Sequence, residues 1–312
     1  PADEDDRNQC YTAVPSRIPK TPTVETKYLR DKMRQDITKR QPDREPPPHL
    51  LIRSSGHALI LAVGALSLAL VHQASFADDR NAKVATFVEI FDGKTLDGWE
   101  GDQPYWSVRE GAILGQITEE TRIDKNRFLI YQGDVPDDFE LLAEFRVSSA
   151  GNSGINYRSE VVEDVDFHAM RGYQCDIDGR NRYTGSNYEE RRRTTLAAIG
   201  ESVVVPSISN AAALTHIQRN RWTAGQVERT LAPTDELRAN VKNGDWNEVR
   251  IVARGNRLQH FINGILTSQV VDNDTVNRRM SGRLGIQVHV GPPMTIEYRH
   301  LRLRELAGDA QE

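Results

Sequence analysis

A recurrent turn signal constrains this chain more than any other feature. From residue 92 onward, Asp92-Gly93, Asp97-Gly98, Glu110-Gly111, Gln132-Gly133, Ala150-Gly151-Asn152, Asn243-Gly244-Asp245 and Asn263-Gly264 separate short apolar or alternating runs. Glycine takes the positive φ that tight turns need, and Asn-Gly is the preferred pair for a two-residue type I′ hairpin. The clearest hairpin runs from Arg257 to Ile262, turns at Asn263-Gly264 and returns through Ile265-Leu266-Thr267. Runs and turns at this spacing, with no long amphipathic helix, specify an all-β fold of antiparallel strands in a sandwich or barrel. Residues 208–240 carry no clean period and are expected to form an excursion with a short helix or two, placed as a lid.

Alternation then separates the faces, because side chains two apart on a strand share one. Leu141, Ala143, Phe145 and Val147 make an apolar face opposite Glu144 and Arg146. Ile155 and Tyr157 oppose Asn156 and Arg158. Tyr173, Cys175 and Ile177 oppose Gln174, Asp176 and Asp178, while Ile286, Val288 and Val290 oppose Gln287 and His289. A plain solvated face is one reading, since antiparallel sheets commonly keep one face wet. The low lysine content and the many amides, carboxylates and arginines favour a polar binding concavity, as a sugar's many oriented hydrogen bonds require. Asp176 and Asp178 on one face repel each other unless a cation or an arginine lies between them. A calcium, magnesium or manganese ion suits such oxygen ligands. Nothing in the sequence calls for an organic cofactor.

The ends of the chain read differently. Residues 1–50 are rich in charge and proline and poor in large apolar residues, so they are expected to be a disordered extension or to lie upstream of the true start. Residues 51–77 resemble a signal peptide, with Arg53 before an uncharged apolar run from Ala58 to Val71 and small residues flanking Phe76. An uncleaved membrane anchor is the other reading, and both place the domain outside the cytoplasm, periplasmic or extracellular. The folded domain is expected over 78–306, with a tail at 307–312. The formal net charge of −5 over 312 residues gives no footprint for nucleic acid. Of the two cysteines, Cys10 and Cys175, only the second lies in this domain, so neither an internal disulfide nor a cysteine zinc site is expected there.

Seven segments in order carry a family resemblance. They are Glu89-Ile90-Phe91-Asp92-Gly93-Lys94-Thr95-Leu96-Asp97-Gly98-Trp99, Trp106 to Ile113, Asp138 to Arg146, Gly151 to Arg158, Gly244 to Glu248, Leu258 to Gly264 and Gly282 to His289. Together they resemble the 3-keto-disaccharide hydrolase domain, formerly DUF1080, across nearly all of 87–306. The resemblance implies a concanavalin-like jelly-roll sandwich with a glycoside pocket on one sheet. Tyr183 to Arg191, including Glu189, looks like a loop over that pocket. Gln174-Cys175-Asp176-Ile177-Asp178 departs from the Gln-x-x-Asp-Asn of some relatives.

The implied chemistry is cleavage of a 3-keto-glycoside by removal of the C2 proton, loss of the C1 substituent and addition of water. Expected catalytic residues are Glu144, Asp176 and His289, with His289 or Glu144 as the base and Asp176 and Asp178 as metal ligands. Asn156, Arg158, Gln174, Tyr183, Glu189 and Gln287 are expected to hold the sugar. An ordinary glycosidase with a carboxylate pair, or a carbohydrate-binding module without turnover, are the alternatives.

Overall fold

The computed structural model describes residues 85–307, apart from 164, 166–167, 209–210 and 220–224. The readings of 1–50 and 51–77 lie outside the described residues, among which no helix is long and apolar enough to cross a membrane. The strands are β1 (Val88–Glu89), β2 (Trp99–Glu100), β3 (Trp106–Arg109), β4 (Ala112–Ile117), β5 (Arg127–Tyr131), β6 (Phe139–Val147), β7 (Asn152–Val161), β8 (Met170–Asp178), β9 (Asn187–Glu190), β10 (Thr194–Ala197) and β11 (Glu201–Val205). The remaining elements are α1 (Ala211–Gln218), β12 (Gln226–Thr230), α2 (Thr234–Ala239), β13 (Asn247–Arg254), β14 (Arg257–Ile262), β15 (Ile265–Asp272), β16 (Arg283–Val288) and β17 (Met294–Glu305).

Among the described residues these strands form two sheets. The large one has the order β12-β11-β15-β14-β13-β6-β17-β4-β3, with β1 added to β17. The small one has the order β10-β9-β8-β7-β16-β5-β2. Every pair is antiparallel except β11 with β15. The alternation anticipated this. Leu141, Ala143, Phe145, Val249, Ile251 and Tyr298 of the large sheet meet Ile155, Tyr157, Tyr173, Cys175, Ile177 and Ile286 of the small one in a single buried cluster. Cys175 is a buried free thiol in that cluster. The Asn263-Gly264 turn has φ of +48° and +81°, as a type I′ hairpin requires, and joins β14 to β15. Residues 208–240 supply the two short helices and also β12, an edge strand that the aperiodic sequence did not reveal.

One distortion positions the functional face. Tyr157 pairs with Tyr173, but the next pair is Glu160 with Arg171, so Arg158 and Ser159 oppose Gly172 alone. This β-bulge bends the β7–β8 hairpin. Arg158 has φ +44°, leaves the strand alternation and becomes fully buried. Its guanidinium donates to the carbonyls of Asp137 (2.7 and 3.0 Å) and Gly255 (2.7 Å) and to Asp138 Oδ1 (3.1 Å). The backbone at the bulge is crowded from both sides. A Cβ on Gly282 would lie 2.6 Å from the Arg158 carbonyl carbon, and one on Gly172 would lie 2.7 Å from Ser159 Cα.

The bend folds the hairpin tip over the small sheet. Met170 is four residues from Gln174, which places them about 13 Å apart along a straight strand. Yet Met170 Sδ lies 2.4 Å from where a Cβ on Gly285 would be, and Gly285 belongs to the same cross-strand row as Gln174. Met170 packs there with Phe128 and Ile130. Just upstream, His168 Nδ1 meets Asp102 Oδ1 at 2.8 Å and anchors the folded tip near β2.

Because Gly282 sits against backbone, Gly282→Ala is expected to lower stability by roughly 1–3 kcal/mol in urea unfolding. Gly244 also has positive φ but faces open space, so Gly244→Ala should cost less. Equal losses would mean that close approach at the bulge does not hold the bend.

Candidate active site

The face of the small sheet turned away from the core carries two polar rows. Antiparallel register aligns Ile130, Gly285, Asn156, Gln174 and Tyr188 across five strands in the first. Phe128 pairs with Gln287, and Gly154 with Asp176, in the second. Extending the Ile286–Ile155 pairing brings Gln287 beside Gly154. Gly154 leaves room for its neighbour: a Cβ there would fall 2.5 Å from Gln174 Cδ. Gln174 therefore lies across the strand and donates Nε2–H to Asp176 Oδ1 at 2.7 Å.

This face is dry. Asn156 and Gln287 are fully buried, and Gln174, Asp176 and Glu190 nearly so. Both polar atoms of the Asn156 side chain, and Oε1 of Gln174 and of Gln287, have no hydrogen-bond partner among the described residues. Gln287 Nε2 makes no well-formed bond, though it lies close enough to Glu190 to favour that charge. A buried polar group left unpaired costs about 1–3 kcal/mol, so four clustered on one face call for something that brings donors and acceptors.

Two carboxylates share the site. Asp176 accepts from Gln174 and from Ser186 Oγ at 3.0 Å. Burial nonetheless pushes its pKa up to about 7, with Glu190 and Asp178 adding repulsion and the two hydrogen bonds opposing. Glu190 on β9 pairs with Gly172 at the bend. It takes one weak bond, from Asn126 Nδ2 at 3.4 Å, and sits 3.8 Å from Arg191 Nε. Burial raises its pKa as well, against the opposing pull of Arg191, Asn126 and Gln287.

The other expected residues are placed as follows. His289 continues the Gln287 face just beyond β16, its backbone N–H bonded to the Asn152 carbonyl. It is half-buried, Nδ1 lies 2.7 Å from the Val290 carbonyl, and desolvation lowers its pKa so that it stays neutral. Tyr183 lies in the turn before β9, with the Arg182 guanidinium 5.0 Å from its ring centre.

Three expectations fail on geometry. Glu144 is on the large sheet and points away from the core, where Arg299 Nε holds it at 2.6 Å, so it is not part of this face. Arg158 is withdrawn into the carbonyl cage at the bend. Residues 187–190 are a strand rather than a loop, and Glu189 pairs with Tyr173, which puts it on the core side. There Arg193 Nε bonds Glu189, and the Arg193 fork also binds Asp272 at 2.6 and 3.0 Å.

The expected cation site at Asp176 and Asp178 does not fit the donors found. An arginine answers the repulsion instead: Arg182 binds Asp178 through its backbone N–H (2.7 Å) and its guanidinium (3.1 Å), closing the turn after β8. Among the described residues no group of three or more His, Cys, Asp or Glu side chains is arranged to hold a metal ion.

Sequence reasoning missed Glu190, Ser186 and Asn126. Glu190 could have been found by treating 187–190 as a strand beside β8, since parity then sends Tyr188 and Glu190 to the face of Gln174.

Several known proteins are similar to this chain. A 3-keto-disaccharide hydrolase of Bacteroides thetaiotaomicron is 36% identical over 87 residues, 26% of this chain and 30% of that protein. The alignment thus spans under a third of the relative's length. Among solved structures, a candidate glycosyl hydrolase from Parabacteroides distasonis superposes with TM-score 0.43 at 16% identity, over 70% of this chain and 94% of the other. The carbohydrate-binding module CBM66 from Bacillus subtilis gives 0.41 at 14%, over 67% and 96%. The family model of the 3-keto-alpha-glucoside-1,2-lyase-like domain matches residues 86–304, most of the chain, and the chain therefore belongs to that family.

Proposed function

We propose that this domain cleaves 3-keto-glycosides on the covered face of the small sheet, with Asp176 as the base. The observation that carries the reading is a carboxylate held near neutral pKa beside buried, unpartnered amides. A general base works best when its pKa lies close to the operating pH. The amides of Asn156, Gln174 and Gln287 offer both donors and acceptors, as sugar hydroxyls and a ketone oxygen require.

The chemistry follows from the ketone. A carbonyl at C3 acidifies the hydrogen on C2. Asp176 takes that proton, and the C2–H electron pair moves into a C2–C3 enolate whose oxygen accepts from the amide N–H groups. The enolate re-forms the ketone, a C1–C2 double bond forms, and the C1–O bond breaks with its electrons on the leaving oxygen. Water then adds its oxygen at C1 and releases a proton, which balances the one that the leaving oxygen takes up, and Asp176 returns its own proton to C2. The products are a 3-keto-sugar and the free aglycone. In this reading His289, neutral and on the same face as Gln287, bonds a sugar hydroxyl. Export through residues 51–77 belongs to the same reading, since glycoside scavenging takes place outside the cytoplasm.

Asp176→Asn is expected to lower kcat on 3-keto-glycosides by about 10²–10⁴-fold with little change in KM. Turnover by the unaltered chain should rise with pH through about 7 as Asp176 ionises. Release of no 3-keto-sugar from any substrate, alongside measurable sugar binding, would replace this reading with a binding module.

The same variant has a stability consequence. The Asp176 pKa is raised on folding, so between its unfolded value of 3.8 and about 7 the native state holds more protons than the unfolded chain. Stability contributed by this group therefore falls as pH rises through that window. Asp176→Asn should match the parent near pH 4 and exceed it at pH 8, by up to about 4 kcal/mol at 1.36 kcal/mol per pKa unit. Urea unfolding at both pH values measures this, and a variant less stable at pH 8 than at pH 4 relative to parent would contradict the charge assignment.

A further inference from the structure

We infer that Glu190 is the general acid that delivers a proton to the departing C1 oxygen. This rests on the reading above, which leaves that proton unassigned. Elimination from a sugar or alkyl glycoside expels a strongly basic oxygen, and a positioned acid is needed where the aglycone cannot carry the charge itself.

The contrast among the buried acids of this chain singles out Glu190. Glu189, next to it, is bound by Arg193 through two hydrogen bonds on the core side. Asp178 takes a backbone N–H and a guanidinium. Glu140 is held by both Arg250 and Arg304. These are carboxylates whose charge the fold has compensated. Glu190 is buried too, though slightly less than these, yet its one hydrogen bond among the described residues is long, and the Arg191 guanidinium beside it is beyond hydrogen-bond reach at 3.8 Å. A purely structural ion pair in such a place would be closer and better bonded.

Its position fits the role. Glu190 hangs from the bent part of the sheet opposite Gly172, on the covered face. It reaches Asn126, the residue before β5, whose Oδ1 accepts from the Val290 N–H. The groups facing it are Arg191 in the turn after β9, Asp176 on β8, Asn126 before β5 and Gln287 on β16. Two acids thus approach one face from different strands, with the amide row on the sheet between them. Asp176 has two short hydrogen bonds that favour its ionised form, and Glu190 lacks these. Such paired, unequal surroundings are how one site keeps a base and an acid at the same pH.

The test compares leaving groups. Glu190→Gln in the full chain is assayed on a 3-keto-disaccharide and on a p-nitrophenyl 3-keto-glucoside, whose phenolate leaves without help. The expected result is a loss of about 10²–10⁴-fold in kcat on the disaccharide and less than about tenfold on the aryl substrate. Exchange of the C2 hydrogen with deuterated solvent should persist, because Asp176 is untouched. Glu190→Asp, which keeps a carboxyl group, should recover part of the disaccharide activity. Equal loss on both substrates, or no loss on either, overturns the inference while leaving the hydrolase reading intact. An unaltered chain that turns over neither substrate overturns the reading itself.

Discussion

The bend at Arg158 is the constraint on which the rest of this structure depends. A straight β7–β8 hairpin would extend past the sandwich and leave the outer face of the small sheet in water. Two residues opposing Gly172, a positive φ at Arg158 and glycine at 172 and 282 turn it back across that face. The turn is locked from the far side by an arginine that spans carbonyls from three separate segments, at 137, 255 and 279. Lysine could not replace it, because only the planar fork reaches several acceptors in fixed directions at once. A buried guanidinium with good partners costs little, whereas one deprived of them leaves an uncompensated charge in the interior.

Covering the face changes the energetics of everything on it. Amides that water would satisfy become orphaned, and carboxylates that water would solvate lose their preference for charge. Asp176 and Glu190 are raised for this reason first, and at Asp176 repulsion from Glu190 and Asp178 adds a smaller contribution. The large sheet shows the opposite case. Its outer face carries Glu144, Glu140 and Glu297, each answered by arginines, and Trp246 lies between Arg146 and Arg299. Both faces read as polar in sequence. One is paired and settled, and the other is left wanting partners.

That distinction shows how much the sequence could disclose. Turn spacing and period-2 alternation are local, and they identified the all-β antiparallel class, the apolar faces and the Asn263-Gly264 hairpin, while the sandwich came from the family resemblance. They also assigned Asn156, Gln174, Asp176, Gln287 and His289 to faces that the register brings together. Alternation cannot say which of two sheets a strand joins, so Glu144 looked equivalent to Asp176. It also fails at a bulge, where Arg158 leaves its face. Glu189 and Glu190 are adjacent in sequence and fall on opposite sides only because β9 pairs with β8 in one register. Each miss is a non-local fact of pairing or backbone φ.

The Gln174-Cys175-Asp176-Ile177-Asp178 segment brings these threads together. Two acids on one strand face should repel, and the fold resolves the conflict unequally. Asp178 lies at the strand end, where the chain turns and Arg182 can come back four residues later to neutralise it. Asp176 lies two residues deeper, where it has an amide and a hydroxyl as partners and, among the described residues, no cation close enough to bond it. Position along β8, set by the distance from the turn, decides which acid becomes a structural cap and which stays poised to exchange a proton. A fold selected for stability alone would place an asparagine at 176, because its neutral amide could use the same partners without the desolvation penalty. That an acid stands there, at a place where charge costs the most, argues that its proton is what the site uses.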